Sequence, residues 1–325
     1  MTFRALLPPA LAFASALGAT NPIITDRYTA DPAALVVGDT VYLYTGHDEQ
    51  EPGKSGYLMR DWRCYSSTDM VNWTAHGSPL AVKDFAWAQR DAWAGHVAER
   101  DGKFYWYVPM WMDDPKGFAL GVAVADAPAG PFKDARGSPL VTGDMTPNPT
   151  TPEGGAMWWD DIDPAVFIDD DGQAYLWWGN THLYWAKLKP SMTELDGPIH
   201  TAEKPPNFVE APWIHRRGDL YYLSYAWGFP ERTAYCTAPS ATGPWTYRGI
   251  INELAGNSNT NHQAIISFKG RDYFIYHHGG LPGGDSFHRS VCIDYLDYNS
   301  DGTIRRVIPT LDGVGAADAP RPAAP

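Results

Sequence analysis

Asp163-Pro164-Ala165-Val166-Phe167-Ile168 runs into Asp169-Asp170-Asp171-Gly172 and out again through Ala174-Tyr175-Leu176-Trp177-Trp178. An apolar run, an acidic turn closed by glycine and an aromatic run spell two antiparallel strands with a short connection. The same order recurs four more times. Asp31-Pro32-Ala33-Ala34-Leu35-Val36-Val37 turns at Gly38-Asp39 into Val41-Tyr42-Leu43-Tyr44. Trp93-Ala94-Gly95-His96-Val97 turns at Asp101-Gly102 into Phe104-Tyr105-Trp106-Tyr107-Val108. Glu210-Ala211-Pro212-Trp213-Ile214 turns at Gly218-Asp219 into Leu220-Tyr221-Tyr222-Leu223. His262-Gln263-Ala264-Ile265-Ile266 turns at Lys269-Gly270 into Tyr273-Phe274-Ile275-Tyr276.

A third strand follows each pair: 63–67, 121–125, 183–187, 234–237 and 291–295. Short fourth strands fit at Pro131-Phe132 and at Pro244-Trp245-Thr246-Tyr247. The units start at 31, 94, 163, 210 and 262, spaced by 63, 69, 47 and 52 residues. Five four-stranded units of this size predict an all-β chain, a single-domain five-bladed β-propeller over residues 21–314. A β-sandwich is the alternative, and position kept within the unit over five copies argues against it.

Composition agrees. The 325 residues are 44% apolar and 19% charged, with 14 Trp, 18 Tyr, 31 Gly and 28 Pro, which is a globular, turn-rich, aromatic chain. A net charge of −13 argues against nucleic-acid and anionic-membrane partners, which both need a positive field. Three cysteines, Cys64, Cys236 and Cys292, sit in apolar runs and read as buried hydrophobes rather than a disulfide framework. Arg4, the apolar stretch Ala5 to Leu17 and the small residues Ala16 and Gly18 read as a signal peptide over 1–18, hence a secreted or periplasmic protein. Residues 316–325 are Ala/Pro-rich and read as a tail.

The first strand of each propeller blade lines the central axis. Asp31, Ala94, Asp163, Glu210 and His262 are therefore expected at one mouth of that axis. Carboxylates gathered at the bottom of an aromatic funnel suit glycosidic bond cleavage. One acid gives a proton to the leaving oxygen, another activates water or attacks, and a third charge raises the proton donor's pKa and orients it.

The surrounding residues carry a resemblance. Tyr28-Thr29-Ala30-Asp31-Pro32, Asp160-Asp161-Ile162-Asp163-Pro164-Ala165-Val166-Phe167 and Val209-Glu210-Ala211-Pro212-Trp213 resemble the three acid motifs of glycoside hydrolase family 43. Asn21-Pro22-Ile23-Ile24, Asn261-His262 and Phe287-His288-Arg289-Ser290-Val291 fit as well. The resemblance implies an inverting mechanism in which Asp31 is the general base, Glu210 the general acid and Asp163 the residue that tunes and orients the acid. It implies that Arg289 contacts substrate and that His262 stands near a calcium ion held through water; no cofactor enters the chemistry. Trp93-Ala94-Gly95-His96 departs from the Trp-Ala-Pro-Asp/Glu of many relatives, which touches the second blade's substrate contacts and not the three acids. Trp93, Trp158 and Trp159 are candidate walls of the sugar site.

The stretch from Asn261 to Val314 resembles the β-xylosidase and α-L-arabinofuranosidase branch most. The expected substrates are xylo- or arabino-oligosaccharides, cleaved from the end. Three other readings stay open: an arabinan endo-hydrolase, a retaining fructan-type hydrolase on the same architecture, and a non-catalytic sugar-binding propeller. Asp169-Asp170-Asp171-Gly172 reads as a turn and not a calcium loop, since no Glu follows at the twelfth position. His277-His278 reads as packing.

Overall fold

Five antiparallel sheets account for the strands, and the computed structural model describes residues 20–147, 159–253 and 256–319. Blade one holds β1 (Thr29–Val37), β2 (Thr40–His47), β3 (Asp61–Ser67) and β4 (Thr74–Ala75), with β5 (Leu80–Ala81) also on β3. Blade two holds β6 (His96–Arg100), β7 (Lys103–Asp113) and β8 (Lys116–Ala125), edged by β9 (Lys133–Asp134) and β10 (Val141–Thr142). Blade three runs β11 (Ala165–Ile168), β12 (Ala174–Trp178), β13 (Tyr184–Leu188) and β14 (His200–Thr201). Blade four runs β15 (Trp213–Arg217), β16 (Leu220–Trp227), β17 (Arg232–Ala238) and β18 (Thr246–Asn252). Blade five has β19 (Ala264–Phe268), β20 (Arg271–His278) and β21 (Ser290–Leu296). The helical content among the described residues is one 3₁₀ turn, Val82–Asp84.

The five-bladed all-β architecture expected from the repeat is the observed one. The expected signal peptide, the end of the tail from residue 320 and Trp158 lie outside the described residues. The fourth strands begin at Lys133 and Thr246, after Pro131 and Pro244 rather than on them. Proline has no N–H to give a ladder. The turn after β11 is closed by Asp169 N–H to Gln173 O (2.9 Å) and Gly172 N–H to Asp169 O (2.8 Å). All three cysteines are buried and free.

Each blade packs its faces against two neighbours, so the middle strands are apolar on both sides. β7 is buried along nearly its whole length, and Trp62, Trp106, Trp177 and Trp178 are among the largest fully buried side chains. The side-chain clusters run between blades: Trp178 packs with Tyr107 of blade two, and Trp177 with Tyr225 of blade four.

The ring is closed by the segment before β1. Ile23 N–H donates to Val291 O (2.9 Å) and Thr29 N–H to Arg289 O (2.9 Å) along the free edge of β21. Buried Asn21 donates to Ile293 O (3.1 Å) and accepts Ile293 N–H (2.8 Å), supplying blade five with the edge that no fourth strand provides among the described residues. The same contacts seat Arg289 next to the start of β1.

Candidate active site

Within an antiparallel blade the start of the first strand and the loop after the second strand lie on one face. The cavity on that face, about 450 Å³, draws on both sets. Asp31, Asp163, Glu210 and His262 come from first-strand starts. Tyr57, Asn180, Phe229 and Glu231 come from loops after second strands, and Arg289 from just before β21.

Asp31, Asp163 and Ala211 occupy equivalent positions, each before a proline (Pro32, Pro164, Pro212), with φ of 52°, 56° and 56°. This left-handed conformation is uncommon outside glycine and concentrates at functional sites. In β1 it coincides with a register shift between Ala30 and Ala33, which turns Asp31 out of the strand's alternation. Glu210 therefore stands one position ahead of the other acids and not in the single register expected from the repeat, and Pro212 marks the offset. Ala211 fills the register position, and its N–H donates to Asp163 Oδ2 (3.0 Å).

Asp31 is held from two sides. Arg289 Nη1 donates to its Oδ1 (2.8 Å), and its own N–H donates to His277 Nδ1 (3.1 Å). Because Nδ1 accepts, His277 is the neutral Nε2–H tautomer, which donates to Thr260 O (3.0 Å). Burial first, then Arg289, holds the imidazole well below its usual pKa. His277 thus touches the proposed base, and its reading as plain packing is corrected; the N–H of a bulged Asp31 has no ladder partner and takes the ring nitrogen instead. Burial pushes the Asp31 carboxyl up to about 6, with Arg289 pulling down and Asp48 pushing up. Buried Asp48 accepts Arg289 Nε (3.0 Å) and Nη2 (2.9 Å) in a two-pronged pair.

Glu210 accepts Asn180 Nδ2 (2.6 Å), and the carboxyl of Glu231 lies beside it in the same cavity. Burial raises its pKa, Asn180 opposes, and the charge of Asp31 raises it further. Asp163 lies well above the usual carboxylate range through burial and then the charges of Glu210 and Asp31. His262 Nδ1 is 3.7 Å from Asp163 Oδ2, and burial drives its pKa to about 3, so the imidazole is neutral. Among the described residues, the cluster able to offer three ligand atoms to a metal is His47, Glu49 and Asp61, and it does not include His262. Arg63 already lies 3.0 Å from Asp61 and 3.1 Å from His47 there.

Trp93 lines the cavity with its ring centroid 4.2 Å from that of Phe118. Arg289 lies 4.6 Å over the ring of Tyr57. The floor is buried and charged, whereas the rim carries Trp159 at 45% and Phe229 at 70% exposure. Such a cavity can hold one sugar against the acids, with exposed aromatic faces for the rest of a chain.

A propeller with paired buried acids under an aromatic rim is the architecture of a glycosidase. Residues 19–304 match the model of glycosyl hydrolases family 43, and the chain belongs to that family. It is 32% identical to xylosidase/arabinosidase 43A of Humicola insolens, over 87% of this chain and 98% of that one. It is 34% identical to an arabinoxylan arabinofuranohydrolase of Bacillus subtilis over 92% of this chain, and spans 66% of that protein's length. The structure of a β-xylosidase/α-arabinofuranosidase from a compost metagenome, solved with xylotriose in a calcium-free form, superposes with a TM-score of 0.78 at 32% identity, covering 89% of this chain and 98% of that one.

Proposed function

We propose that this glycosidase releases terminal pentoses, with inversion, from β-1,4-xylo-oligosaccharides and α-L-arabinofuranosides. The observation that carries it is the division of environments inside one cavity: Asp31 is anchored by Arg289, whereas Glu210 has no lysine or arginine partner among the described residues. Environments that separate two acids assign their roles. Asp31 ionises and takes a proton from water as it attacks the anomeric carbon. Glu210 keeps its proton and gives it to the departing oxygen, so the bond's electron pair leaves on a neutral alcohol. Asp163 orients Glu210 through the N–H of Ala211. Trp93 and Trp159 are proposed sugar walls.

Support for the terminal, pentose-directed reading comes from the buried floor and from the relatives named above. Neutral His262 is the group that would face a water-held calcium ion, and no step depends on one. The apolar stretch before residue 19 supports export, secreted or periplasmic. Incubation with xylohexaose tests the reading: xylose and xylopentaose are expected first. Early xylobiose and xylotriose, or internal cleavage of arabinan alone, would overturn it.

A further inference from the structure

Glu231 has no place in the three-acid scheme, yet it lines the same cavity and is 2% exposed. It follows Gly228-Phe229-Pro230 at the end of the loop after β16. Its N–H donates to Asn259 O (3.0 Å), and its Oε2 accepts Asn261 N–H (2.7 Å), so the side chain is clamped by the lead-in to blade five. From there its carboxyl is within interaction distance of that of Glu210 in the same cavity. Two carboxylates cannot hydrogen-bond each other; one must carry a proton.

The charge balance says which groups keep protons. Asp31, Asp48, Asp163, Glu210 and Glu231 surround one buried cation, Arg289, which is already bound to Asp31 and Asp48. Among the described residues neither Asp163, Glu210 nor Glu231 has a lysine or arginine within ion-pair distance, and His262 and His277 are neutral. Four buried carboxylates and the half-buried Glu210, all ionised around one guanidinium, would be prohibitively costly.

We propose that Glu231 is the positioning residue of the acid: a buried carboxyl that stays neutral and donates its O–H to Glu210. This rests on the reading of Glu210 as proton donor. When the Oε–H bond of Glu210 breaks and an O–H bond forms on the leaving oxygen, the new Glu210 carboxylate accepts hydrogen bonds from Glu231 and Asn180. Glu231 keeps its own proton throughout, and Glu210 regains one from solvent after the product leaves. A neutral carboxyl used as a hydrogen-bond donor makes its partner the stronger acid. Burial opposes ionisation of Glu231 most, an ionised Glu210 would oppose it next, the Asn261 N–H favours it, and the charge of Asp31 opposes it again. Arg289, the one facing cation, acts on Glu210.

The test uses Glu231→Gln and Glu231→Leu in the full chain, with pH profiles of kcat/KM on xylobiose and on an aryl xyloside with an acidic phenol. Glutamine keeps a neutral donor, so the alkaline limb should stay where the unmodified protein has it. Leucine removes the donor, so the limb should move to higher pH, and xylobiose hydrolysis should fall roughly 10–100-fold while the aryl xyloside is spared. A limb moved to lower pH in Glu231→Gln would show an ionised Glu231 and overturn the proposal, even if Glu231→Leu fails to fold. An unmoved limb in a folded Glu231→Leu would reduce Glu231 to a structural role and also overturn it. If Glu210→Gln instead loses both substrates equally, the assignment of Glu210 fails, which is a separate outcome.

Discussion

The guanidinium of Arg289 sits 2.8 Å from Asp31 Oδ1 while its other two nitrogens grip both oxygens of Asp48 at 3.0 and 2.9 Å. One arginine is thereby fixed by a buried acid outside the proposed chemistry, and is aimed at the proposed base. The family resemblance assigned Arg289 to the substrate. The structure adds a second task, keeping Asp31 ionisable in a site where burial opposes charge.

Arg289→Lys separates the two tasks. Lysine is a point charge and cannot bridge both acids. With Asp31 less supported, the acidic limb of kcat/KM should rise from about pH 6, and kcat should fall. A change in KM alone, with the limb unmoved, would mean that Arg289 serves substrate and not the base.

The two acids should fail differently. Asp31→Ala leaves no group to activate water and should abolish activity on every substrate. Glu210→Gln should cost xylobiose roughly 10²–10⁴-fold and spare an aryl xyloside whose phenol needs no proton. Parallel losses in the glutamine variant would contradict its role as acid.

Tuning and orienting, the two roles foreseen for Asp163, come apart in Asp163→Asn. Glu210 is raised by burial and by Asp31, while Asp163 is itself raised by Glu210. Burial is the largest cause that raises Asp163, so asparagine imitates its neutral form and keeps the acceptor for Ala211 N–H. The rate should fall through altered orientation, with the alkaline limb in place. A limb displaced to lower pH would show that a charged Asp163 tunes the acid.

Asp161, buried beside the site, gives a stability signature. Trp178 Nε1 donates to its Oδ1 (2.7 Å), and burial pushes its carboxyl up to about 8. Unfolded, it ionises near 3.8; folded, only near 8, so folding takes up a proton between these values. This group therefore lowers stability progressively as pH rises from about 4 to 8. Asp161→Asn keeps the acceptor and removes the proton. Its melting temperature should gain on the parent's across that window, by of order a few kcal/mol of stability at the top. Parallel melting curves against pH would contradict it.

The sequence made the blades and the three acids legible because strand, turn and aromatic strand recur with little change. Glu210 was found although one position off register, since its neighbours match the family motif and Pro212 aligns with Pro32 and Pro164. Asp48, Tyr57, Asn180 and Glu231 are not announced by the repeat, whose recurring positions are the first-strand starts. They lie in the loops between second and third strands, Asp48 and Asn180 directly after β2 and β12 and Tyr57 and Glu231 further along, where chain reversal returns to the same face. Polar residues directly after each second strand are a usable signal for Asp48 and Asn180. His277 was missed for another reason: its role depends on the unpaired N–H of a bulged Asp31, which no side-chain pattern announces.

Proton NMR of the anomeric signals during xylobiose hydrolysis tests the central claim most directly. If Asp31 activates water while Glu210 protonates the leaving oxygen, the first xylose from the non-reducing end appears as the α-anomer and mutarotates afterwards. The β-anomer appearing first would make Asp31 a nucleophile and contradict the account.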